Sequence, residues 1–335
     1  MKVGILSFAH VHAQGYARCL AAMPDIELVA IADDDETRGA TAVAQFGGEW
    51  YADYRDLLAH DDLAAVIISS PNALHREMVL AAAAAGKHVL CEKPLATTRP
   101  DALAMIEGCR AHGVRLMTAF PMRFSPPVLA LRTAVQAGEV GTPRAVMATN
   151  HGTMPPGWFS DPALAGGGAV MDHTVHVADL LRWIFGCEIT RVYAEVDTRI
   201  HPGIPTDDVA LLLMELENGM FASLDPSWAR PATWPTWGGL TMDVVGDRGV
   251  VAMNAFNQTL QRYDDRAGRY SLIPWVEGGD PAMLRAFFDA IEHDAEPPIT
   301  GEDGLHAMEV ALCAYESAKR HEPVACPGVL AGAAA

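Results

Sequence analysis

Two clusters of polar residues stand out in a chain that is half hydrophobic, and both have the makings of proton chemistry. The first is Cys91-Glu92-Lys93-Pro94, directly after the strand-like run Lys87–Leu90. A lysine at a strand end can hydrogen-bond a substrate hydroxyl and stabilise developing alkoxide charge. Pro94 fixes φ and removes a donor, which restrains the turn that carries Lys93. The competing reading of an isolated Glu-Lys pair is a solvated ion pair. The second cluster is Asp172-His173-Thr174-Val175-His176, preceded by Gly166-Gly167-Gly168. Asp172 and His176 are four apart and share one face of a helix. A histidine near its ordinary pKa can take the proton of a hydroxyl while the carboxylate orients neighbouring hydroxyls. The bland alternative is a capping aspartate and an interior histidine. The three glycines allow close backbone approach.

The elements around the first cluster alternate strictly. Short β-branched runs at Lys2–Leu6, Leu28–Ala32, Ala65–Ile68, His88–Leu90 and Arg115–Met117 are separated by helical stretches at about 12–22, 36–46, 73–85 and 99–112. Apolar strands alternating with helices predict a doubly wound parallel sheet, an α/β domain of the dinucleotide-binding (Rossmann) kind over residues 1–119. In such a fold Asp33, at the end of the second strand, accepts the ribose 2′-hydroxyl and repels a 2′-phosphate, so NAD is expected over NADP. With Asp34 and Asp35 beside it, Asp33 also suits a helix N-terminus. The first strand should lead into G-x-G-x-x-G, but those positions are Ser7, Ala9 and His12. The amides of Phe8, Ala9, His10 and Val11 are therefore expected to hold phosphate at a helix N-terminus without glycine, with His10 and His12 as further donors. The alternative is a decayed nucleotide site. His-x-His is also a metal-ligand spacing, but the sequence places no acidic or thiol residue beside it. Ser69-Ser70-Pro71-Asn72, with His75 one helical turn on, lies at another strand end, where open α/β sheets bind ligands. Asn72 is also a plausible N-cap.

Character changes after Phe120. A helix at Val128–Ala137 precedes alternating strands at Arg144–Thr149, Arg191–Asp197, Ala210–Glu217, Gly219–Leu224, Thr241–Val245, Gly249–Met253 and Thr259–Tyr263. Asn218-Gly219 is a hairpin signal. Helices at about 168–185, 280–293 and 302–320 complete an α+β domain, residues 120–335, on a large, mostly antiparallel open sheet. The Ala-rich tail from Gly328 is expected to fray. Trp158, Trp228, Trp234 and Trp237 sit among prolines and glycines, where ring faces can stack on sugars, pack a core or form an interface. Arg123 suits either an anchor for ligand oxygens or an ion pair. His151, Asp172, His173 and His176 together offer zinc-type donors. His173 projects about 100° away from Asp172 around a helix, so no metal is expected.

The 335 residues suffice for two domains with separate cores. A net charge of −18, from 24 basic and 42 acidic residues, disfavours nucleic acid and anionic membrane as partners. No apolar run reaches the ~18 residues of a membrane span, and no signal-peptide pattern opens the chain. Six cysteines without a CxxC pair fit reduced thiols and a cytoplasmic location.

The stretch Gly86–Ala96 around Glu92-Lys93-Pro94 resembles the signature of the Gfo/Idh/MocA oxidoreductase family. Pro71-Asn72 with His75, Arg123-Phe124 with Pro126, and Gly166–Gly186 resemble it too. The resemblance implies NAD-dependent hydride transfer to or from a secondary hydroxyl of a sugar, inositol or related polyol, with Lys93, Asp172 and His176 as the catalytic cluster. It implies cofactor contacts from Asp33, Ser69, Ser70, Pro71, Asn72, His75, Glu92, Lys93 and Arg123. Substrate contacts would come from Lys93, Arg123, His151, Trp158, Asp172 and His176. It also implies a homodimer or homotetramer formed through the open sheet face. Two other activities fit the same residues: an NAD-assisted glycosidase or lyase, and a non-catalytic sugar-binding relative. The chain departs from the family pattern in its missing glycine fingerprint and in Thr174, where many members carry glycine.

Overall fold

The structure, a computed structural model, describes residues 1–234, 236–257 and 278–327, with the backbone alone for 259–264 and 269–274. The tail from Gly328 lies outside these residues. Two compact units are present: Met1–Pro121 with Ala163–Gly166 and Asp280–Leu305, and Met122–Pro162 with Gly167–Gly279 and His306–Ala335.

The first unit begins β1 (Lys2–Leu6), α1 (Ala13–Ala21), β2 (Glu27–Ala32), α2 (Glu36–Phe46), β3 (Glu49–Tyr51) and α3 (Tyr54–Leu58). It continues β4 (Ala65–Ile68), α4 (His75–Ala84), β5 (His88–Cys91), α5 (Arg99–Ala111) and β6 (Leu116–Thr118). The six strands are parallel, in the order β3-β2-β1-β4-β5-β6. The order in which successive strands are added therefore reverses between β1 and β4, which is where such sheets bind ligands, outside the strands' carboxyl ends. Ile5, Leu6, Ile31, Ile67 and Leu90 are at most 1% exposed, each contributing roughly 1.5–3 kcal/mol of burial. The alternation predicts five of these strands; β3 and α3 are too short to show a period.

The second unit follows with α6 (Pro126–Gln136), β7 (Pro143–Thr149), the short α7 (Pro162–Ala165, mostly of the first unit), α8 (Ala169–Phe185), β8 (Ile189–Asp197) and β9 (Val209–Leu216). Next come β10 (Phe221–Asp225), β11 (Thr241–Gly246), β12 (Val250–Asn254), β13 (Thr259–Asp264) and β14 (Arg269–Pro274). Last are α9 (Asp280–Glu292), α10 (Gly301–Arg320) and β15 (Val324–Ala325). Seven strands form one sheet in the order β12-β11-β7-β10-β9-β8-β15, antiparallel except for the β7–β10 pair. Its faces separate by period two. Val146, Ala148, Leu212, Met214, Ala222 and Leu224 are buried, whereas Met147, Leu211, Leu213 and Phe221 are exposed on the other face. One arrangement differs from a simple division at residue 120: α9 packs on α1 and belongs to the first unit. Its buried stripe Met283, Leu284, Phe287 and Phe288 needs an apolar partner, and sequence order does not reveal which element supplies it.

Candidate active site

The nucleotide loop lacks glycine yet keeps a glycine-like turn. Ser7 occupies the first fingerprint position with φ +72°, and its Oγ accepts the Ala9 amide at 3.1 Å. The amides expected to cradle phosphate are mostly committed. Phe8 N–H donates to Asp33 Oδ2 (2.7 Å) and His10 N–H to the Ser69 carbonyl (3.0 Å). With Ala9 engaged by Ser7, only the Val11 amide of the four has no partner among the described residues. This corrects the expectation of a four-amide cradle: the loop spends those donors holding its own shape.

Asp33 is buried at the end of β2, and its carboxylate is saturated. Besides Phe8, it accepts the Asp35 amide (2.9 Å), Arg38 Nε (2.8 Å) and Arg38 NH2 (2.7 Å). An ionised carboxylate offers about four acceptor positions. Arg38, on the first turn of α2, also reaches Asp34 at 2.8 Å. A cavity of about 280 Å³ beside Arg38 is lined by Phe8, Gln14, Thr41 and Phe46 among others.

At the next strand ends, Asn72 Nδ2 donates to the Ala165 carbonyl at 2.8 Å. Its Oδ1, like Ser69 Oγ, is buried without a hydrogen-bond partner among the described residues. Buried polar atoms are rarely left so, and a dinucleotide lying on this rim would satisfy them. A hydroxyl and an amide oxygen awaiting partners therefore fit the group the fold implies. His75, by contrast, faces the scaffold: Nδ1 lies 3.1 and 3.2 Å from the Pro94 and Leu95 carbonyls, and Nε2 lies 3.2 Å from the Ser70 carbonyl. Burial holds this imidazole below its ordinary pKa.

Glu92 also turns inward. Its Oε1 accepts from Tyr16 OH (2.5 Å) and lies 2.9 Å from His12 Nδ1 and 3.7 Å from His10 Nδ1, while Oε2 accepts the Lys93 amide at 3.0 Å. Burial opposes ionisation, but the two histidines and Lys93 outweigh it and hold the carboxyl well below the usual range. The acidic neighbour that His-x-His lacks in sequence is thus supplied by the fold, with the three ligand-type atoms within 4.8 Å of one another. The network latches the nucleotide loop and α1 to the turn carrying Lys93, which is itself buried.

In the second unit α8 carries Asp172 and His176 and is positioned at its start by two residues the spacing rules do not single out. Asp207 accepts the Gly168 and Val170 amides (2.9 and 2.8 Å), and Tyr315 OH accepts from Gly168 and Met171 (3.0 and 3.2 Å) while donating to Asp207 at 2.7 Å. A Cβ on Gly168 would come within 1.9 Å of the Asp207 carbonyl oxygen, so only glycine fits there.

Asp172 is buried, with Oδ2 accepting from Trp228 Nε1 at 3.1 Å. His173 Nε2 lies 3.3 Å from the same oxygen. The expectation that His173 projects away from Asp172 around the helix is therefore wrong: the side chains of these adjacent residues bend so that their tips meet. Trp228 is fully buried and packs in a core with Phe159, Ala169 and Trp158, so it is not a sugar platform. Trp158 stacks on Phe159 at 3.9 Å. Trp234 and Trp237 are about half exposed. Arg123 proves to be an ion-pair partner, its Nε and NH2 meeting Asp179 at 2.8 and 2.5 Å in a buried fork. His151 Nε2 lies 2.9 Å from Asp225.

A parallel sheet in dinucleotide-binding order, an acidic residue closing β2 and a lysine closing β5 define a nucleotide-dependent oxidoreductase. Comparison with known proteins agrees. Residues 2–120 match the oxidoreductase family with an NAD-binding Rossmann fold, and residues 128–252 match the Gfo/Idh/MocA C-terminal domain. The chain belongs to the Gfo/Idh/MocA family. It is 30% identical over 336 residues to myo-inositol 2-dehydrogenase of Thermotoga maritima, covering 97% of this chain and 98% of that one. It is 32% identical to an NADP-named D-xylose 1-dehydrogenase of Haloferax volcanii, covering 95% and 98%. A levoglucosan dehydrogenase structure, solved with NADH and levoglucosan, superposes with a TM-score of 0.85 at 25% identity over 98% of this chain and 99% of that one.

Proposed function

We propose that this protein is an NAD-dependent dehydrogenase acting on a secondary hydroxyl of a sugar, inositol or related polyol, or running the reverse reduction. The observation that carries the reading is Lys93, buried at the carboxyl end of β5 on the ligand rim of the parallel sheet. The substrates named for the relatives support the polyol class.

When bound, the dinucleotide supplies the hydride acceptor. Asp33 holds the adenosine ribose diol once Arg38 releases at least one carboxylate oxygen. Val11 N–H, Ser69 Oγ and Asn72 Oδ1 supply further contacts, with Ser70 and Pro71 shaping the rim. Lys93 donates to the reacting oxygen and stabilises its negative charge; His176 accepts the hydroxyl proton and returns it in the reverse direction. Asp172 orients the substrate through a neighbouring hydroxyl. His151, Trp234 and Trp237 offer polar and aromatic contacts for the rest of a sugar ring.

The exposed sheet face bearing Met147, Leu211, Leu213 and Phe221 carries apolar side chains suited to a second copy of the chain, giving a dimer or tetramer. Six free cysteines suit a reducing cytoplasm, and no described helix is long and apolar enough to cross a membrane.

The reading is tested by offering sugars and inositols with NAD⁺ and with NADP⁺ and following reduced-cofactor absorbance. Net reduction with a free polyol supports it. Cleavage of a glycoside without net reduction, or polyol binding with no dinucleotide affinity, overturns it.

A further inference from the structure

Both ring nitrogens of His173 face acceptors. Nδ1 lies 2.8 Å from the Pro226 carbonyl oxygen and Nε2 lies 3.3 Å from Asp172 Oδ2. A carbonyl can only accept, so Nδ1 carries a proton. A neutral imidazole has just one N–H, and its Nε2 would then present a lone pair to a carboxylate. In a buried site that repulsion is costly, and the ring has nowhere to turn. His173 is 3% exposed, and Gly152 lies so close that a Cβ there would stand 2.6 Å from the ring's Cε1. The backbone behind the ring is fixed as well, since Asn150 Nδ2 donates to the His173 carbonyl at 3.0 Å. Asp172 is equally confined, its Oδ2 also receiving the indole N–H of the fully buried Trp228.

We infer that His173 is a positioning residue held as an imidazolium, bridging the Pro226 carbonyl to Asp172 and fixing that carboxylate, as an anion, in the orientation it presents to substrate. Trp228 supplies the second, neutral donor on the same oxygen. The device is local to α8 and the segment after β10, and it sets a buried cation beside a buried anion.

Its consequence for turnover rests on the substrate-orienting role proposed for Asp172; the protonation state does not. The test uses the full-length protein with ¹⁵N-labelled histidine, the His173 signals being assigned with His173→Gln. At neutral pH both ring nitrogens of His173 should resonate as protonated, and in Asp172→Asn the ring should revert to a neutral form with the proton on Nδ1. A neutral His173 in the wild type, or a ring unaffected by Asp172→Asn, overturns the inference. In kinetics, His173→Gln keeps a neutral donor and should lower kcat/KM about tenfold, mainly through KM, with the melting temperature little changed. Unaltered KM and kcat would remove His173 from the machinery. Loss of activity in Lys93 and His176 variants reads the broader mechanism separately.

Discussion

Arg38 clasps Asp33 with both arms of its guanidinium, Nε at 2.8 Å from Oδ2 and NH2 at 2.7 Å from Oδ1. The residue that should repel a 2′-phosphate is thus neutralised by the residue best able to bind one. Arg38→Ala opens one acceptor position on each oxygen for the ribose diol, the Phe8 and Asp35 amides staying in place, and removes the cation. Titration calorimetry with NAD⁺ and NADP⁺ should show the affinity ratio moving toward NAD⁺ by about tenfold, roughly 1.4 kcal/mol. A ratio that stays put would detach Arg38 from cofactor choice.

The Arg123–Asp179 fork is buried on both sides. Removing one partner leaves an uncompensated charge, so Arg123→Ala should destabilise by about 3–5 kcal/mol. Denaturant unfolding checks this; a loss under about 1 kcal/mol, typical of an exposed pair, would contradict it.

The latch of His12, Tyr16 and Glu92 predicts a pH dependence. For Glu92, whose pKa is lowered in the fold, the contribution is present above the ordinary carboxylate value of 4.5 and is lost as pH falls through the lowered one. Burial pulls the His12 pKa down, but Glu92 outweighs it and the net shift is upward. Its contribution is complete below the ordinary 6.5 and fades as pH rises through the raised value. The melting-temperature difference between wild type and His12→Gln should therefore be largest between these values, near pH 5–6, and shrink in alkaline buffer. A difference that grows with alkalinity would contradict the pairing.

Gly168→Ala puts a methyl group into the Asp207 backbone. A clash with backbone cannot be relieved by a rotamer change, so about 1–3 kcal/mol of stability should be lost as the start of α8 shifts. The melting temperature should fall accordingly, and with it turnover; Gly186→Ala, at a left-handed helix end with open space around it, should leave turnover intact.

Much of this was legible in the chain. Strands with fully apolar runs, such as Ala65–Ile68, declare a sheet covered on both faces, and the run into Glu92-Lys93-Pro94 marks its ligand rim. What stayed hidden depends on long-range contacts. Nothing local tells that Glu92 turns inward to Tyr16, 76 positions away, or that Asp207 and Tyr315 cap α8 from elements 37 and 144 or more residues distant. His173 was misjudged because a helical wheel fixes where Cβ points but not where a long side chain ends. Arg38 was within reach: its i,i+4 spacing from Asp34, just ahead of a predicted helix, is a local signal.

The central claim is that Lys93 and His176 act on the same substrate oxygen. A crystal structure of the protein with reduced dinucleotide and a polyol identified by the activity screen measures this directly. The account predicts Lys93 Nζ and one His176 ring nitrogen each about 2.7–3.2 Å from the reacting hydroxyl oxygen. A hydroxyl contacted by neither side chain, or by Lys93 with His176 far from it, would contradict the account.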